Sequence, residues 1–137
     1  MKEYIVMESF YKALEKDRIQ PFYQPQFKSN GFDIVSAEAL CRWVRSDGSL
    51  ILPVDFPPLT EESGEICMLD WFIIDRVCSF LAEMLFMNER PVPVSVNLSR
   101  RHVEEMNAAE HLCTIVDAYR LNHDLIEVEI TETCDAD

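Results

Sequence analysis

The sequence predicts an α/β fold, specifically an incomplete TIM-type (β/α) barrel with about four strands and flanking helices. Helical stretches separate most of the strand-like segments, and polar residues lie at or near the strand ends, as in barrel enzymes. The strand-like segments span residues 22–27, 34–42, 92–97 and 125–131. A complete barrel needs roughly 250 residues, so a chain of 137 residues predicts only part of one.

The first part of the chain predicts a helix followed by two paired strands. Residues 9–16 have the apolar spacing of a short amphipathic helix, with Ser9 as its N-cap. Residues 17–21 are expected to break this helix before the first strand. Only a turn at residues 29–31 separates the first two strands, so these are predicted to be antiparallel neighbours.

Two longer helices are predicted in the second part of the chain. Apolar residues recur at three- and four-residue spacing over residues 68–86 and again over residues 108–119. A proline-containing loop begins at Pro53, and one helical turn is expected at residues 59–62. We find no internal repeat and no linker, so residues 1–137 are expected to form one domain or a piece of one.

Composition and charge exclude several classes of partner. Twelve basic and 25 acidic residues give a formal charge of −13, which disfavours a nucleic acid polymer or direct contact with an anionic membrane. Charges interrupt every long apolar run, although a membrane-anchored parent protein stays open. Without a CxxC pair, the cysteines predict buried reduced thiols and a cytoplasmic location. These cysteines are Cys41, Cys67, Cys78, Cys113 and Cys134.

Polar residues on the predicted strands form a candidate site. Because side chains alternate along a strand, Glu38 and Arg42 share one face of the second strand. Asn97 and Glu129 lie on the third and fourth strands, and Gln24 lies on the first. Two carboxylates and an amide oxygen suit a hard divalent cation, whereas arginine and glutamine suit an anionic ligand. The alternative is a buried ion pair between Glu38 and Arg42, with solvated strand ends.

Seven short segments match one family pattern: Tyr23–Pro25, Ala37–Trp43, Gly48–Pro53, Asp55–Pro58, Leu69–Trp71, Ser95–Ser99 and Glu129–Glu132. Together they resemble the EAL domain family. The family is named for Glu-Ala-Leu, found here at residues 38–40, although three residues alone would be a weak signal. Order and spacing agree with the family pattern from about residue 9 to residue 133.

The resemblance implies a metal-dependent phosphodiesterase that hydrolyses cyclic di-GMP to linear pGpG with two Mg²⁺ or Mn²⁺ ions. The family's metal ligands match Glu38, Asn97 and Glu129. The resemblance also implies a catalytic role for Glu38, through the metal that it binds. Its substrate-contacting residues match Gln24 and Arg42, and a glutamate that orders a later catalytic loop matches Glu132.

The chain also departs from the family pattern. Cys41 replaces the usual leucine, and Gln26 replaces an aliphatic residue. The family's aspartate pair, catalytic lysine, further metal-binding glutamate and late glutamine would lie beyond Asp137. The chain is therefore expected to be the N-terminal portion of a single EAL domain, inactive alone. Open sheet edges and an uncovered apolar interior predict a homo-oligomer formed through the exposed half-barrel surface.

Two other interpretations stay open from the sequence. One is a catalytically silent EAL module that binds cyclic di-GMP or a protein, and the other is an unrelated metal-dependent barrel hydrolase. The presence of all three matched ligand positions favours the enzyme lineage, because a pure binder need not keep metal ligands. The three histidines are expected at the surface or at helix ends, and the two tryptophans are expected to pack in the core or on the domain surface. These are His102, His111, His123, Trp43 and Trp71.

Overall fold

A mixed sheet with helices packed against one of its faces forms the fold of this chain. The computed structural model describes residues 7–56, 64–100, 102 and 107–131. The strands are β1 (Ile19–Phe27), β2 (Ile34–Val44), β3 (Leu50–Ile51), β4 (Val94–Ser99) and β5 (Ile126–Thr131). The helices are α1 (Met7–Glu15), α2 (Glu65–Phe86) and α3 (Ala108–Ala118), with 3-10 turns at Pro53–Asp55 and His123–Leu125.

The sheet has the partial (β/α) barrel arrangement that the sequence predicts. Its strand order is β1-β2-β4-β5, and the short β3 pairs with the end of β2. The β1–β2 pair is antiparallel, as predicted, whereas β2–β4 and β4–β5 are parallel. Because α2 precedes β4 and α3 precedes β5, the parallel pairs are joined by helical crossovers.

The two faces of the sheet differ in composition. The covered face, which packs against α2, is buried and apolar, and includes Ala39, Val94 and Val96. The apolar residues that strand alternation places on the open face include Phe22, Leu40 and Val44. Its polar residues are more numerous: Gln20, Gln24, Gln26, Ser36, Glu38, Arg42, Ser95, Asn97, Ser99, Glu127, Glu129 and Thr131. The expectation of an uncovered apolar interior is therefore wrong.

Strand β1 begins earlier than predicted. Residues 19–21 belong to β1, so the predicted break after α1 is present but shorter, at residues 16–18. Ile19 is fully buried, which favours extending the strand, and Arg18 accepts a hydrogen bond from the Val44 N–H at 2.8 Å. Pro21 is tolerated because β1 is an edge strand, where an outward position needs no N–H for the ladder.

Other boundaries also differ from the prediction. Ser9 lies inside α1 and does not precede it, and α2 begins at Glu65 instead of residue 68. Strand β4 begins at Val94, two residues after its predicted start. Strand β3 was not predicted, because two residues are too few to show a period. The helical turn expected at residues 59–62 lies outside the described residues.

The N-terminal helix is attached to the end of β2 through aromatic rings. Phe10 is fully buried, and its ring centroid lies 6.1 Å from that of Trp43 and 6.0 Å from that of Phe56. The Trp43 and Phe56 centroids are 5.5 Å apart, with nearly perpendicular rings. Such edge-to-face packing stabilises aromatic clusters beyond their area of burial. The predicted packing role of Trp43 is confirmed.

The cysteines are less uniformly buried than the sequence predicts. Cys78 is buried in α2, Cys41 and Cys67 are half-buried, and Cys113 is exposed on α3. All four are free thiols, whereas Cys134 lies outside the described residues. The expectation of buried thiols is therefore wrong for Cys113, because α3 carries this residue on its solvent side.

Candidate functional site

The strand register places four of the candidate residues on the open face, as two pairs that are offset by two positions along the strands. Gln24 of β1 lies directly opposite Glu38 of β2. Asn97 of β4 lies opposite Glu129 of β5, while Glu38 is aligned with Ser95, two positions before Asn97. Neighbouring strands are about 4.8 Å apart, and residues in register share a face. Four consecutive strands of the sheet therefore each contribute one candidate side chain to the open face.

Glu38 and Asn97 are in direct contact across β2 and β4. The Asn97 Nδ2 atom lies 3.5 Å from Glu38 Oε2, which is long for an N–H···O hydrogen bond. Both side chains are half-buried. A half-turn of the Asn97 amide would direct its oxygen toward the carboxylate, and only that orientation lets both residues present oxygen atoms to one cation.

Glu129 extends the set to the edge strand β5. It is exposed and lies on the same face as Asn97. Two carboxylates and one amide oxygen are the ligand types that Mg²⁺ and Mn²⁺ accept, so the donor set fits such a cation. Within residues 7–56, 64–100, 102 and 107–131, no three His, Cys, Asp or Glu side chains form a metal-binding group. The fit therefore depends on the Asn97 amide, and three donors fill only part of an octahedral shell.

Arg42 lies four residues beyond Glu38 on the same face of β2. Its Nη1 donates to the backbone carbonyl oxygen of Cys41 at 2.7 Å. Among the described residues it forms no ion pair with Glu38, so the alternative interpretation of a buried Glu38–Arg42 pair is not observed. A guanidinium held by one neutral carbonyl retains donors for an anion.

Cys41 lies on the opposite side of the strand from Arg42. Burial is the main influence on its thiol and raises its pKa to about 12, although the neighbouring Arg42 charge acts in the other direction. The side chain is therefore a neutral, apolar group near pH 7. It fills the covered face in place of the family's leucine without adding a nucleophile.

The remaining candidates differ in how far the structure describes them. Gln24 is exposed on the edge strand β1 and shares the face of Glu38. Glu132, the predicted loop-ordering residue, lies outside the described residues.

The structure also contains a buried polar cluster that the sequence reasoning missed. His102 was predicted at the surface or a helix end, but its residue exposure is 0%. Its Nε2 lies 2.9 Å from Asp70 Oδ2, and the same oxygen accepts the Ser99 backbone N–H at 2.9 Å. An acid amid the apolar stripe of a helix, as in the Leu69–Trp71 segment, was the sequence signal for such a cluster.

Burial affects the ionisation of this cluster. Desolvation raises the pKa of the Asp70 carboxyl above its ordinary value, while the Ser99 N–H and the His102 ring oppose the rise. Because an ionised carboxylate only accepts hydrogen bonds, His102 must carry a proton on Nε2 when Asp70 is charged. Trp71 packs edge-on against His102, with centroids 4.9 Å apart.

The other two histidines are exposed, as predicted. His111 lies on α3 against the Trp71 ring, with a centroid distance of 4.3 Å. His123 lies in the turn before β5, and its Nε2 is 2.6 Å from Asp117 Oδ1. Trp71 is half-buried between His102 and His111, which fits its predicted packing role.

Comparison with known proteins identifies the family of this chain. A family model described as "EAL domain" matches residues 7–137, and the chain belongs to the EAL domain family. Among its curated relatives, the signaling protein YkoW of Bacillus subtilis is 33% identical over 126 residues. The cyclic di-GMP phosphodiesterase PdeR of Escherichia coli is 32% identical over 136 residues. A solved structure of PaMucR phosphodiesterase in complex with c-di-GMP matches with a TM-score of 0.78 and 25% identity.

These similarities cover most of this chain but only part of each relative. The matches include 92% and 96% of this chain, but 16% of YkoW and 20% of PdeR. The structural match includes 95% of this chain and 54% of the PaMucR chain. In the described part of the chain, none of the helices has the length and apolar character needed to cross a membrane.

Proposed function

We propose that this chain supplies part of the active site of a metal-dependent cyclic di-GMP phosphodiesterase that produces linear pGpG. The observation that carries the proposal is the contact of Glu38 with Asn97, with Glu129 in register on the next strand. Membership of the EAL family and similarity to PdeR and PaMucR, both named as phosphodiesterases, support the substrate class.

Three side chains on the open face would hold the cations. Glu38 and Glu129 would contribute carboxylate oxygens, and Asn97 its amide oxygen, to Mg²⁺ or Mn²⁺. When bound, such cations lower the pKa of water and stabilise charge on the transferring phosphoryl group. Asn97 would have to turn its amide, and Glu38 would then lose the weak 3.5 Å contact that it accepts now.

Two further side chains would orient the dinucleotide. Arg42 would exchange its bond to the Cys41 carbonyl for a charge-assisted, two-pronged contact with a phosphate, which is a stronger interaction. Gln24 would offer amide hydrogen bonds from the neighbouring edge strand, opposite Glu38. Glu132 would order a later catalytic loop, the role that its position in the family pattern implies.

We further propose that residues 1–137 form the N-terminal portion of a single EAL domain and do not turn over substrate alone. Three oxygen donors fall short of one octahedral shell, and the chain matches 54% of the PaMucR phosphodiesterase. A cytoplasmic location accompanies this proposal, supported by four free thiols in the described residues.

Self-association is a separate part of the proposal. The outer strands β1 and β5 are edges in the described sheet, and open-face residues on both of them, such as Phe22 and Glu129, are exposed. Pairing of two copies through the exposed half-barrel surface would satisfy edge groups that otherwise bond to water. Sedimentation of the chain over a range of concentrations tests this, and a monomer throughout the micromolar range would contradict it.

The enzymatic proposal is tested with the full-length gene product, cyclic di-GMP and Mg²⁺ or Mn²⁺. Linear pGpG is the expected product, and Glu38→Ala should abolish its formation while leaving the thermal unfolding midpoint nearly unchanged. Binding without cleavage would favour the silent receptor instead. If the protein neither binds nor cleaves cyclic di-GMP, both functions are overturned.

A further inference from the structure

The two final residues of β4 are held by side chains from other elements. The Thr131 Oγ1 of β5 donates to the Leu98 carbonyl at 3.3 Å. On the other side, Asp70 of α2 accepts the Ser99 N–H at 2.9 Å. Asn97 directly precedes these two residues, so its backbone position depends on how this end of the strand is fixed.

Pairing with β2 does not reach this end of β4. The β2–β4 register contains only the Ala37–Val94 and Glu38–Ser95 pairs. The Ala37 N–H donates to the Pro93 carbonyl at 3.0 Å, so odd-numbered residues of β4 direct their backbone groups toward β2. Ser99 follows this alternation, so its N–H also points toward β2. Because the last β2–β4 pair is Glu38–Ser95, the Ser99 N–H donates to Asp70 instead of to a β2 carbonyl.

Asp70 is itself fixed by a buried neighbour. The Nε2 atom of the fully buried His102 lies 2.9 Å from the same Oδ2 atom, and Trp71 packs edge-on against the His102 ring. A largely buried carboxylate, with its side chain 18% exposed, would incur a desolvation penalty if it lost these partners, which favours this arrangement. The cluster of Asp70 and His102 is therefore a rigid anchor beside the strand end.

We propose that Asp70, supported by His102, is a positioning residue that keeps the Asn97 amide beside Glu38. The 3.5 Å contact between Asn97 and Glu38 is too long to fix the amide by itself. The backbone must therefore supply the precision, through the Asp70–Ser99 bond. This inference rests on the proposed function, since Asn97 matters chemically only if it binds a metal.

The first test uses NMR on the metal-free chain and needs no activity. Asp70→Ala should speed hydrogen exchange of the Ser99 amide by about 10-fold, as loss of one hydrogen bond predicts. It should also shift and broaden the Asn97 side-chain amide signals. Asp70→Asn keeps an oxygen acceptor and should restore both properties to near the wild-type values.

Asp75→Ala is the matched control. Asp75 lies on the same helix and accepts a hydrogen bond from Tyr119 of α3 at 2.8 Å, away from the end of β4. The Asp75→Ala variant should leave the Ser99 amide exchange rate and the Asn97 side-chain signals unchanged, even if it lowers stability as much as Asp70→Ala. Equal effects of the two variants would overturn the positioning role. If Asp70→Ala does not fold, His102→Phe replaces it, with the same comparison against Asp75→Ala.

The second test measures the Mn²⁺ concentration that half-activates the full-length gene product. Asp70→Ala should raise it by about 10-fold, with a smaller change in kcat at saturating metal, because a misplaced ligand weakens metal binding first. An unchanged half-activating concentration would contradict the inference. If the wild type neither binds Mn²⁺ nor cleaves cyclic di-GMP, the proposed function fails, while the NMR comparison still decides whether Asp70 positions Asn97.

Discussion

The covered face of the sheet packs into the core, whereas the open face holds the candidate site, although residues of the two faces alternate along the same strands. On β4, Val94, Val96 and Leu98 are at most 5% exposed and pack into the core. Asn97 lies between two of them but faces the other way and contacts Glu38. Stability and chemistry are thus separated by a single residue along the chain, and neighbouring substitutions should have different effects.

The largest expected effect comes from placing a charge on the covered face. Val96→Asp would bury an unpaired carboxylate and should destabilise the fold by about 3–5 kcal/mol. Asn97→Asp, one residue further on the open face, should change stability by no more than about 1 kcal/mol. Urea unfolding followed by circular dichroism measures both. Similar losses for the two variants would show that the faces are not distinct.

A second comparison stays within the open face. Glu129→Gln should lower the rate of cyclic di-GMP hydrolysis by the full-length gene product by about 100-fold, the upper end of losses caused by disturbing metal surroundings. Glu127→Gln removes the same charge from the same face of β5, but it aligns with Ser95 and not with Asn97. It should retain activity, so equal losses would contradict the assignment of Glu129.

Arg42 allows a test of geometry at constant charge. Arg42→Lys keeps the cation but loses the planar pair of donors, so kcat/KM for cyclic di-GMP should fall by about 10-fold. The unfolding midpoint should hardly move, because the side chain is half-buried and, among the described residues, bonds only to the adjacent Cys41 carbonyl. Unchanged kcat/KM would remove Arg42 from the substrate contacts.

The smallest expected effect distinguishes two cysteines. Cys78→Ser places a hydroxyl in the core and should cost about 1–3 kcal/mol, whereas Cys113→Ser on exposed α3 should stay within about 0.5 kcal/mol. Burial also raises the pKa of the Cys78 thiol to about 11. In the native protein at pH 8, an alkylating reagent should therefore modify Cys113 well before Cys78, and the reverse order would contradict the assigned burial.

Local patterns were sufficient to predict much of the fold and the placement of the candidate residues on one face of the sheet. The short turn at residues 29–31 predicted the antiparallel β1–β2 pair, and strand alternation placed Glu38 and Arg42 on one face. These features depend on neighbouring residues only. The same alternation places Gln20, Gln24 and Ser95 on the open face, so its polar character could also have been read from the sequence.

Features that depend on distant packing could not be predicted in this way. His102 and Asp70 are 32 positions apart, and only the approach of α2 to the end of β4 brings them together. Strand β3 exists because Ile51 pairs with Trp43, and a segment of two residues has no period of its own. The contact between Glu38 and Asn97 likewise needed the parallel crossover, although the family resemblance indicated both residues.

Prolines make the two borders of the sheet unequal. Because the Arg18 carbonyl faces β2, strand alternation directs the backbone of Pro21 and Pro25 away from β2, toward the outer border of β1. Neither residue can donate a hydrogen bond to an added strand. Strand β5 contains no proline. Growth of the sheet by another strand, from this molecule or from a neighbour, should therefore proceed in one direction, outward from β5.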